Sequence, residues 1–427
     1  MKQPFQRIQS HLDGNRQALA ANRISDAGRS LEWNAILANA WMRPVKNPRV
    51  TVLLSSLNHA RFVAEAIQSV LDQTFRDFEL FIIDDCSDDD SWAVIQGFSD
   101  PRIRAVRNAT RLRGADGFNG TIRERAAGEY VAIHHSDDAW LPHKLARQVA
   151  VLDARPEVAA VFTRVALVDE RGAPFADPAH YYQGRFDAPN RPRHEWLRQF
   201  FTQGNCLCHP SALVRRAAMI EAGLYDRRLG QMPDFDLWVR LCLAHEIHVL
   251  DEPLTRFRIL AREANQSAQT PTTEIRARNE IGLILDRFLS IRDEGLFFAA
   301  FPEARHRAQP QDNRLPFLLA QWALDHGEPY HAHFALTTLY RLMADEAVAA
   351  ELKERHDFGY PELVALAGRL DPFHLAQLRA NHAAIMGLKE DAGRVRRSAS
   401  WRLTAPLRFL ARLLGLGASA RGRAPPP

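Results

Sequence analysis

Cysteine is scarce in this chain: Cys86, Cys206, Cys208 and Cys242 are the only four. They are too few and too scattered for a disulfide framework, so a reducing, cytoplasmic setting is expected. Long apolar runs are missing as well. No stretch reaches the roughly 18 residues a transmembrane helix needs. The opening residues, MKQPFQRIQSHLDGNRQ, lack the apolar segment of a secretory leader, so export is not expected. Acid is missing from one region in particular. Residues 392–427 hold eight arginines and no Asp or Glu. Those charges exceed the +4 of the whole chain, which leaves the remainder at −4. The basicity belongs to the tail, and nucleic acid is not an expected partner.

What is present falls into segments. Residues 1–47 read as polar and helical, with Leu31, Trp33, Ile36, Leu37 and Trp41 forming one apolar stripe. Pro44 and Pro48 mark a boundary. From Arg49 onward, short apolar runs alternate with helical stretches. VTVLLS (50–55), FELFIID (78–84), IRAVR (103–107) and YVAIH (130–134) read as strands. Helices are expected after 60, around 89–98, over 119–128 and along HKLARQVAVLDA. VAAVFTRVALVD supplies one or two further strands. Such alternation predicts a parallel, doubly wound α/β sheet that binds its ligands at the carboxyl ends of the strands. The polar clusters at 55–58, 84–88 and 135–138 all fall at those ends. Residues 170–210 read as an extended excursion, 234–246 as a helix, and IHVLDEPLTRFRI as strand, turn and strand. From about 270 to 389 the pattern is helical. Four segments are therefore expected: 1–47, 48–265, 266–392 and a basic, partly disordered tail at 393–427.

Two acidic clusters carry the chemistry. In IIDDCSDDD (82–90), Asp84 and Asp85 end a hydrophobic strand, where carboxylates can accept hydrogen bonds from a base or ribose. Ser87 and Asp88 are expected to cap the next helix. In HHSDDAW (134–140), Asp137 and Asp138 repel one another at a strand end and call for a cation. A hard divalent ion, Mn²⁺ or Mg²⁺, takes oxygen ligands and keeps sites for substrate phosphates. The bland alternative for both strings is a capped turn.

Residues 49 to about 260 resemble a family 2 glycosyltransferase of the GT-A fold. The resemblance is carried by PRVTVLLSSLNHARFVAEAIQSVLDQTFRDFELFIIDDCSDDD, by NGTIRERAAGEYVAIHHSDDAW and by GNCLCHPSALVRRAAMIEAGLYDRRLGQMPDFDLWVRL. It implies transfer of a sugar from a nucleotide diphosphate sugar, usually with inversion and a divalent metal, UDP being the commonest donor nucleotide. By position it implies a nucleotide-sugar pocket lined by Ser56, Asn58, Asp84, Asp85, Asn119 and Asp137. Asp138 would be the metal ligand, with His135 beside it. Asp234, in PDFDLW, matches the general base that deprotonates the acceptor hydroxyl, and Asp236 is its neighbour. His209 falls on the acceptor or diphosphate side.

Three residues depart from that pattern. His135 stands where the family usually has Asp, Phe118 where Arg commonly precedes Asn119, and Pro233 where Glu commonly precedes the base. Two other readings stay open: a glycosyltransferase-like protein that binds sugar nucleotides without turnover, and a nucleotidyltransferase. The latter expects a Gly- and Lys-rich phosphate loop after the first strand, and SSLNHARF is not one. Cys206, Cys208 and His209 invite a zinc reading but lack a fourth ligand.

In the tail, SASWRLTAPLRFLARLLGL (398–416) sets Trp401, Leu407, Leu410 and Leu414 against Arg402, Arg408 and Arg412. That pattern fits a helix lying in an anionic membrane interface, and Pro406 suits the first turn of a helix beginning near Thr404. The alternative is a helix packed on the body or on a partner. The reading as a whole is an enzyme of cell-surface polysaccharide synthesis, peripheral on the inner face of the cell membrane, with a glycan or lipid-linked acceptor.

Overall fold

The computed structural model describes residues 47–112, 115–260, 268–309, 314–326 and 328–413. The expected N-terminal helical segment falls outside them but for Asn47. The chain divides after His306 into two compact units.

The first unit is built on an eight-stranded mixed sheet. Its strands are β1 (Val50–Ser56), β2 (Phe78–Asp84), β3 (Ile103–Arg107), β4 (Tyr130–His135), β5 (Ala139–Trp140), β6 (Val158–Val168), β7 (Leu213–Arg215) and β8 (Glu246–Arg258). They lie in the order β3-β2-β1-β4-β7-β6-β8-β5. The run β3-β2-β1-β4 is parallel throughout. Helices α1 (Val63–Leu71), α2 (Ser91–Gln96) and α3 (Ala115–Glu124) make its three crossovers, and α4 (Lys144–Ala154) leads from β5 to β6. Every residue of β2 is buried, as a strand covered by helices on both faces must be. The core joins Val52, Leu54, Leu80 and Ile82 of the strands to Val63, Ile67 and Val70 of α1 and Leu145 and Val149 of α4. Gly128 precedes β4 because β1 passes too close for a side chain. A Cβ there would meet the Thr51 amide nitrogen at 2.4 Å.

Register sets the site. Ser56 of β1 pairs with Asp84 of β2, and Ser55 pairs with His135 of β4. The polar residues that end three neighbouring strands therefore share one edge. Chain order runs outward in both directions from β1, so this edge is also the crevice where ligands of such sheets bind.

Four details differ from the sequence reading. The helix expected at 119–128 runs from Ala115 to Glu124. The excursion at 170–210 contains α5 (Arg193–Gln203), which buries Trp196, Leu197, Phe200 and Phe201 on one face. Strand–turn–strand at 247–259 is instead one long β8. Its ladder skips from Thr163↔Leu250 to Arg164↔Pro253, because proline cannot donate to a ladder. Lastly, the first unit extends past the expected limit at 265. α6 (Arg216–Glu221) and α7 (Pro233–Ala244) are followed by α8 (Pro271–Leu285) and α9 (Glu294–Ala300). Phe288 and Phe301 pack edge-on against Phe201 of α5, at 5.1 and 5.6 Å between ring centres, and so tie this region to the sheet domain.

The second unit is helical, as expected: α10 (Leu315–Ala323), α11 (Pro329–Met343), α12 (Glu346–His356), α13 (Tyr360–Arg369) and α14 (Leu375–Arg397). Phe317, Leu318 and Trp322 of α10 and Phe334, Leu339 and Met343 of α11 form its buried faces. α14 buries none of its 23 residues. Beyond it lie α15 (Ala399–Leu403), capped by the Ser398 hydroxyl, and α16 (Ala405–Leu413) with Pro406 in its first turn.

Candidate active site

At the end of β2 the two carboxylates divide their work. Asp84 is buried and accepts hydrogen bonds from the Ser87 amide at 3.0 Å and hydroxyl at 2.5 Å, with Arg107 Nε at 3.4 Å. It ties the turn together. Asp85 is half-buried, and its Oδ1 accepts from Asn108 Nδ2 and the Leu112 amide, both at 2.8 Å. Ser87 is not the expected helix cap. It donates to Asp84 and accepts from the Asn58 amide, while Asp89 binds the Ser91 amide at the start of α2. Asn58 takes the left-handed conformation at φ 56° and holds the Asp88 amide through Oδ1 at 2.8 Å. Ser56 is buried, and its hydroxyl has no hydrogen-bond partner among the described residues. Asn119 lies deeper. Its side-chain amide clamps the backbone of Tyr225 with two hydrogen bonds, so it positions that residue.

At the end of β4, His135, Asp137 and Asp138 bring ligand atoms within 4.8 Å of one another. Asp138 is buried. Its Oδ1 accepts from the Arg258 amide at 2.9 Å, and its Oδ2, 3.9 Å from His135 Nδ1, accepts no hydrogen bond among the described residues. Burial, with Asp137 adding to it, pushes the Asp138 carboxyl well above its ordinary range. Arg258 is the fixed counter-cation, and the sequence reading missed it. It is buried, and it bonds the Asp137 carbonyl through Nε at 2.7 Å and Glu65 through Nη2 at 2.6 Å. A buried carboxylate oxygen without a donor, beside a second carboxylate and an imidazole, fits a divalent cation.

His135 Nε2 lies 3.1 Å from His209 Nδ1, and His209 Nε2 lies 2.8 Å from the Tyr225 hydroxyl. Burial holds both imidazoles below their ordinary pKa. Phe118 walls this chain, with its ring centre 6.4 Å from that of His209 and 5.9 Å from that of Tyr225. Cys206 and Cys208 do not join the metal-competent cluster, which among the described residues is His135, Asp137 and Asp138 alone. Cys208 is buried, and its thiol feels both Asp138 and Asp234. Trp238 is core, edge-on to Phe162 at 4.8 Å.

Asp234 opens α7. Burial raises its carboxyl to about 6, and Asn205 Nδ2 donates to it at 3.1 Å. A carboxylate poised there can take a proton near neutral pH.

Residues 51–223 match Glycosyl transferase family 2. The chain is 30% identical over 247 residues to an uncharacterized glycosyltransferase of Nostoc sp., covering 55% of this chain and 72% of that one. The chain belongs to glycosyl transferase family 2. It is also 29% identical over 198 residues to EpsE, named as a glycosyltransferase in Bacillus subtilis, covering 45% of this chain and 66% of EpsE. A shorter match, 34% over 103 residues, is to a β-1,3-glucosyltransferase of Escherichia coli named for UDP-Glc and α-D-GlcNAc-diphosphoundecaprenol. It covers 24% of this chain and 40% of that one.

This family 2 glycosyltransferase anchors the start of α7 through groups remote in sequence. Asp236, expected near the acceptor, is fully buried. Arg240 binds its Oδ2 through Nε and Nη2, at 2.8 and 2.6 Å, and Arg287 Nε binds its Oδ1 at 2.8 Å. Arg287 also binds Asp226 at 2.7 Å. Glu280 of α8 accepts from the amides of Gly230, Gln231 and Met232 at 2.8–3.0 Å, just ahead of Asp234. A lone Glu in a polar helix carries no sequence signal for such a role.

Proposed function

We propose that the protein transfers a sugar, with inversion, from a nucleotide diphosphate sugar to a glycan or lipid-linked acceptor in cell-surface polysaccharide synthesis. UDP is the donor nucleotide of first choice. The observation that carries this reading is two carboxylates linked through one segment, 205–209. Asp138 has a buried Oδ2 that accepts no hydrogen bond among the described residues and lies beside His135, the partner of His209. Asp234 is held by Asn205, and burial raises its carboxyl pKa. Family membership and the UDP-Glc named for the E. coli relative support it.

Asp85, Ser56 and the backbone around Asn58, at the strand ends, would contact base and ribose. Asp138, with Asp137 and His135, would hold Mn²⁺ or Mg²⁺, whose charge would steady the departing diphosphate. His135 Nδ1 keeps a lone pair for that purpose only when Nε2 carries the proton and donates to His209 Nδ1. His209 then donates from Nε2 to the Tyr225 oxygen, an orienting chain of the usual kind. The Asp234 carboxylate accepts the proton of the acceptor hydroxyl. That oxygen attacks the anomeric carbon, and the bonding pair of the old glycosidic link leaves with the diphosphate. Attack from the side opposite the leaving group inverts the anomeric centre.

The second unit ends in exposed Trp401, Leu403, Leu407, Phe409 and Leu410, near arginines that include Arg402 and Arg408. With residues 414–427 outside the description, the tail supports a peripheral site on the anionic cytoplasmic membrane face, next to a lipid-linked acceptor.

A thermal-shift panel of UDP-, dTDP- and GDP-sugars, with and without Mn²⁺, tests the donor site. A ligand at about 100 times its Kd should add about 2.7 kcal/mol. One nucleotide should shift the wild type in a Mn²⁺-dependent way, and Asp138→Ala should abolish that shift. No shift with any donor would leave the fold without the proposed activity.

A further inference from the structure

A cavity of about 250 Å³ lies between the second half of β6 and the loop at 175–187. Leu167 lines one side, and Phe175, Tyr182 and Phe186 line the other. Tyr182 is buried, while Phe175 and Phe186 are half-buried. The rings brace one another: Tyr182 stacks on Phe186 at 5.6 Å, and both meet Phe257 of β8, at 5.1 and 5.5 Å. Gln183 and Asp187 are exposed residues of the lining, so they stand at the mouth.

The walls of the cavity lead toward the segment 205–209 on one side. Tyr182, Val165 and Phe257 share an apolar cluster with Cys208, which lies in the short segment between Asn205, bonded to Asp234 at 3.1 Å, and His209, 3.1 Å from His135. Arg185, set between lining residues Gly184 and Phe186, acts electrostatically on Asp234. No lining residue comes from β1, β2 or the turns after them, where the nucleotide features gather. The cavity therefore neighbours the segment that holds Asp234, with its β6 wall one pair short of Arg258 and Asp138, and stands apart from the β1 and β2 ends.

We propose that this cavity is an acceptor subsite that holds one pyranose ring of the acceptor glycan. The assignment rests on the sugar-transfer reading above. Its size is below the roughly 300–1,000 Å³ of pockets for larger ligands, so it suits a single ring. Aromatic walls meet the apolar C–H face of a pyranose, and the Asp187 carboxylate and Gln183 amide can bind hydroxyls at the mouth. A carboxylate there repels a diphosphate and gives an acyl chain nothing to bond, which favours the sugar over either.

The test uses the full chain with UDP and Mn²⁺ and a set of methyl pyranosides (glucoside, galactoside, mannoside and N-acetylglucosaminide), read by saturation-transfer NMR. At least one should bind the wild type, and its signal should fall about tenfold in Phe175→Ala and in Asp187→Ala, as expected when a ring contact or a charged hydrogen bond is lost. Asp187 is exposed, so its variant keeps the test valid if Phe175→Ala folds poorly. The nucleotide-sugar thermal shift should stay unchanged in both. No pyranoside binding, or binding equal in wild type and Asp187→Ala, would overturn the subsite, as would an n-octyl chain binding in place of the ring. A nucleotide panel that shifts while pyranosides fail sinks only the subsite. Pyranosides that bind without any nucleotide response sink the donor reading and keep the cavity as a sugar site.

Discussion

Glu280 Oε2 accepts a hydrogen bond from the Met232 amide at 2.8 Å, two residues ahead of Asp234. Together with the bonds from Gly230 and Gln231, this makes one buried carboxylate the acceptor for a whole turn. Glu280→Ala leaves three amides without an acceptor. At about 1–3 kcal/mol for each group left unsatisfied, less what water recovers, a loss of about 3 kcal/mol is expected in urea denaturation. Glu280→Gln keeps one acceptor oxygen and should lose less. In both, turnover should fall while the donor thermal shift persists. Wild-type turnover in Glu280→Ala would mean that the turn does not position Asp234.

Asp234 has a folded pKa near 6, above the ordinary carboxyl value of 3.8. The folded state therefore binds this proton more tightly than the unfolded state does. Stability contributed by the protonated form is present below about pH 4 and is lost as pH rises through 6. Turnover needs the ionised form, so kcat/KM should fall on the acid side with an apparent pKa near 6. Asp234→Asn should lower turnover by about 10²–10⁴ and erase that acid limb. It should also melt no lower than wild type at pH 8, since it removes a buried charge. A pH profile that keeps its acid limb in Asp234→Asn would assign the base elsewhere.

Asp236 is a structural anion. Removing it strands the charges of Arg240 and Arg287, and breaking a buried pair typically costs about 3–5 kcal/mol. Asp236→Ala should show that loss in chemical denaturation, yet still respond to the donor nucleotide under conditions where it is folded. If it melts like wild type and loses only turnover with acceptor, Asp236 touches the acceptor after all.

Deleting residues 394–427 should abolish sedimentation with anionic vesicles and leave the melting of the first unit unchanged. Each arginine near such a surface contributes about 1 kcal/mol, so binding of the full chain should weaken steeply with salt. A truncated protein that still sediments would place the membrane contact elsewhere.

The sheet domain is legible in the sequence because its signals are local. VTVLLSS and FELFIID are continuous apolar runs ending in polar residues, as doubly buried parallel strands require, and α1 follows with an apolar face of period 3.6. The clustering of Asp85, Asp137 and Asp138 at one edge follows from that alternation. Helix α5 was hidden by the surrounding prolines and arginines, and the irregular β8 looked like a hairpin because Pro253 interrupts it. By itself, the sequence determined which strands end in carboxylates and that those ends meet. Tertiary structure decided what each carboxylate does. His135 meets His209 across 74 positions, Arg258 meets Asp138 across 120, and Asp236 is neutralised by Arg287 across 51. Such pairings leave no periodic trace in a chain. Burial and the nearest donor, both set only by folding, separate the proposed base, with a pKa near 6, from an anchored anion two residues away.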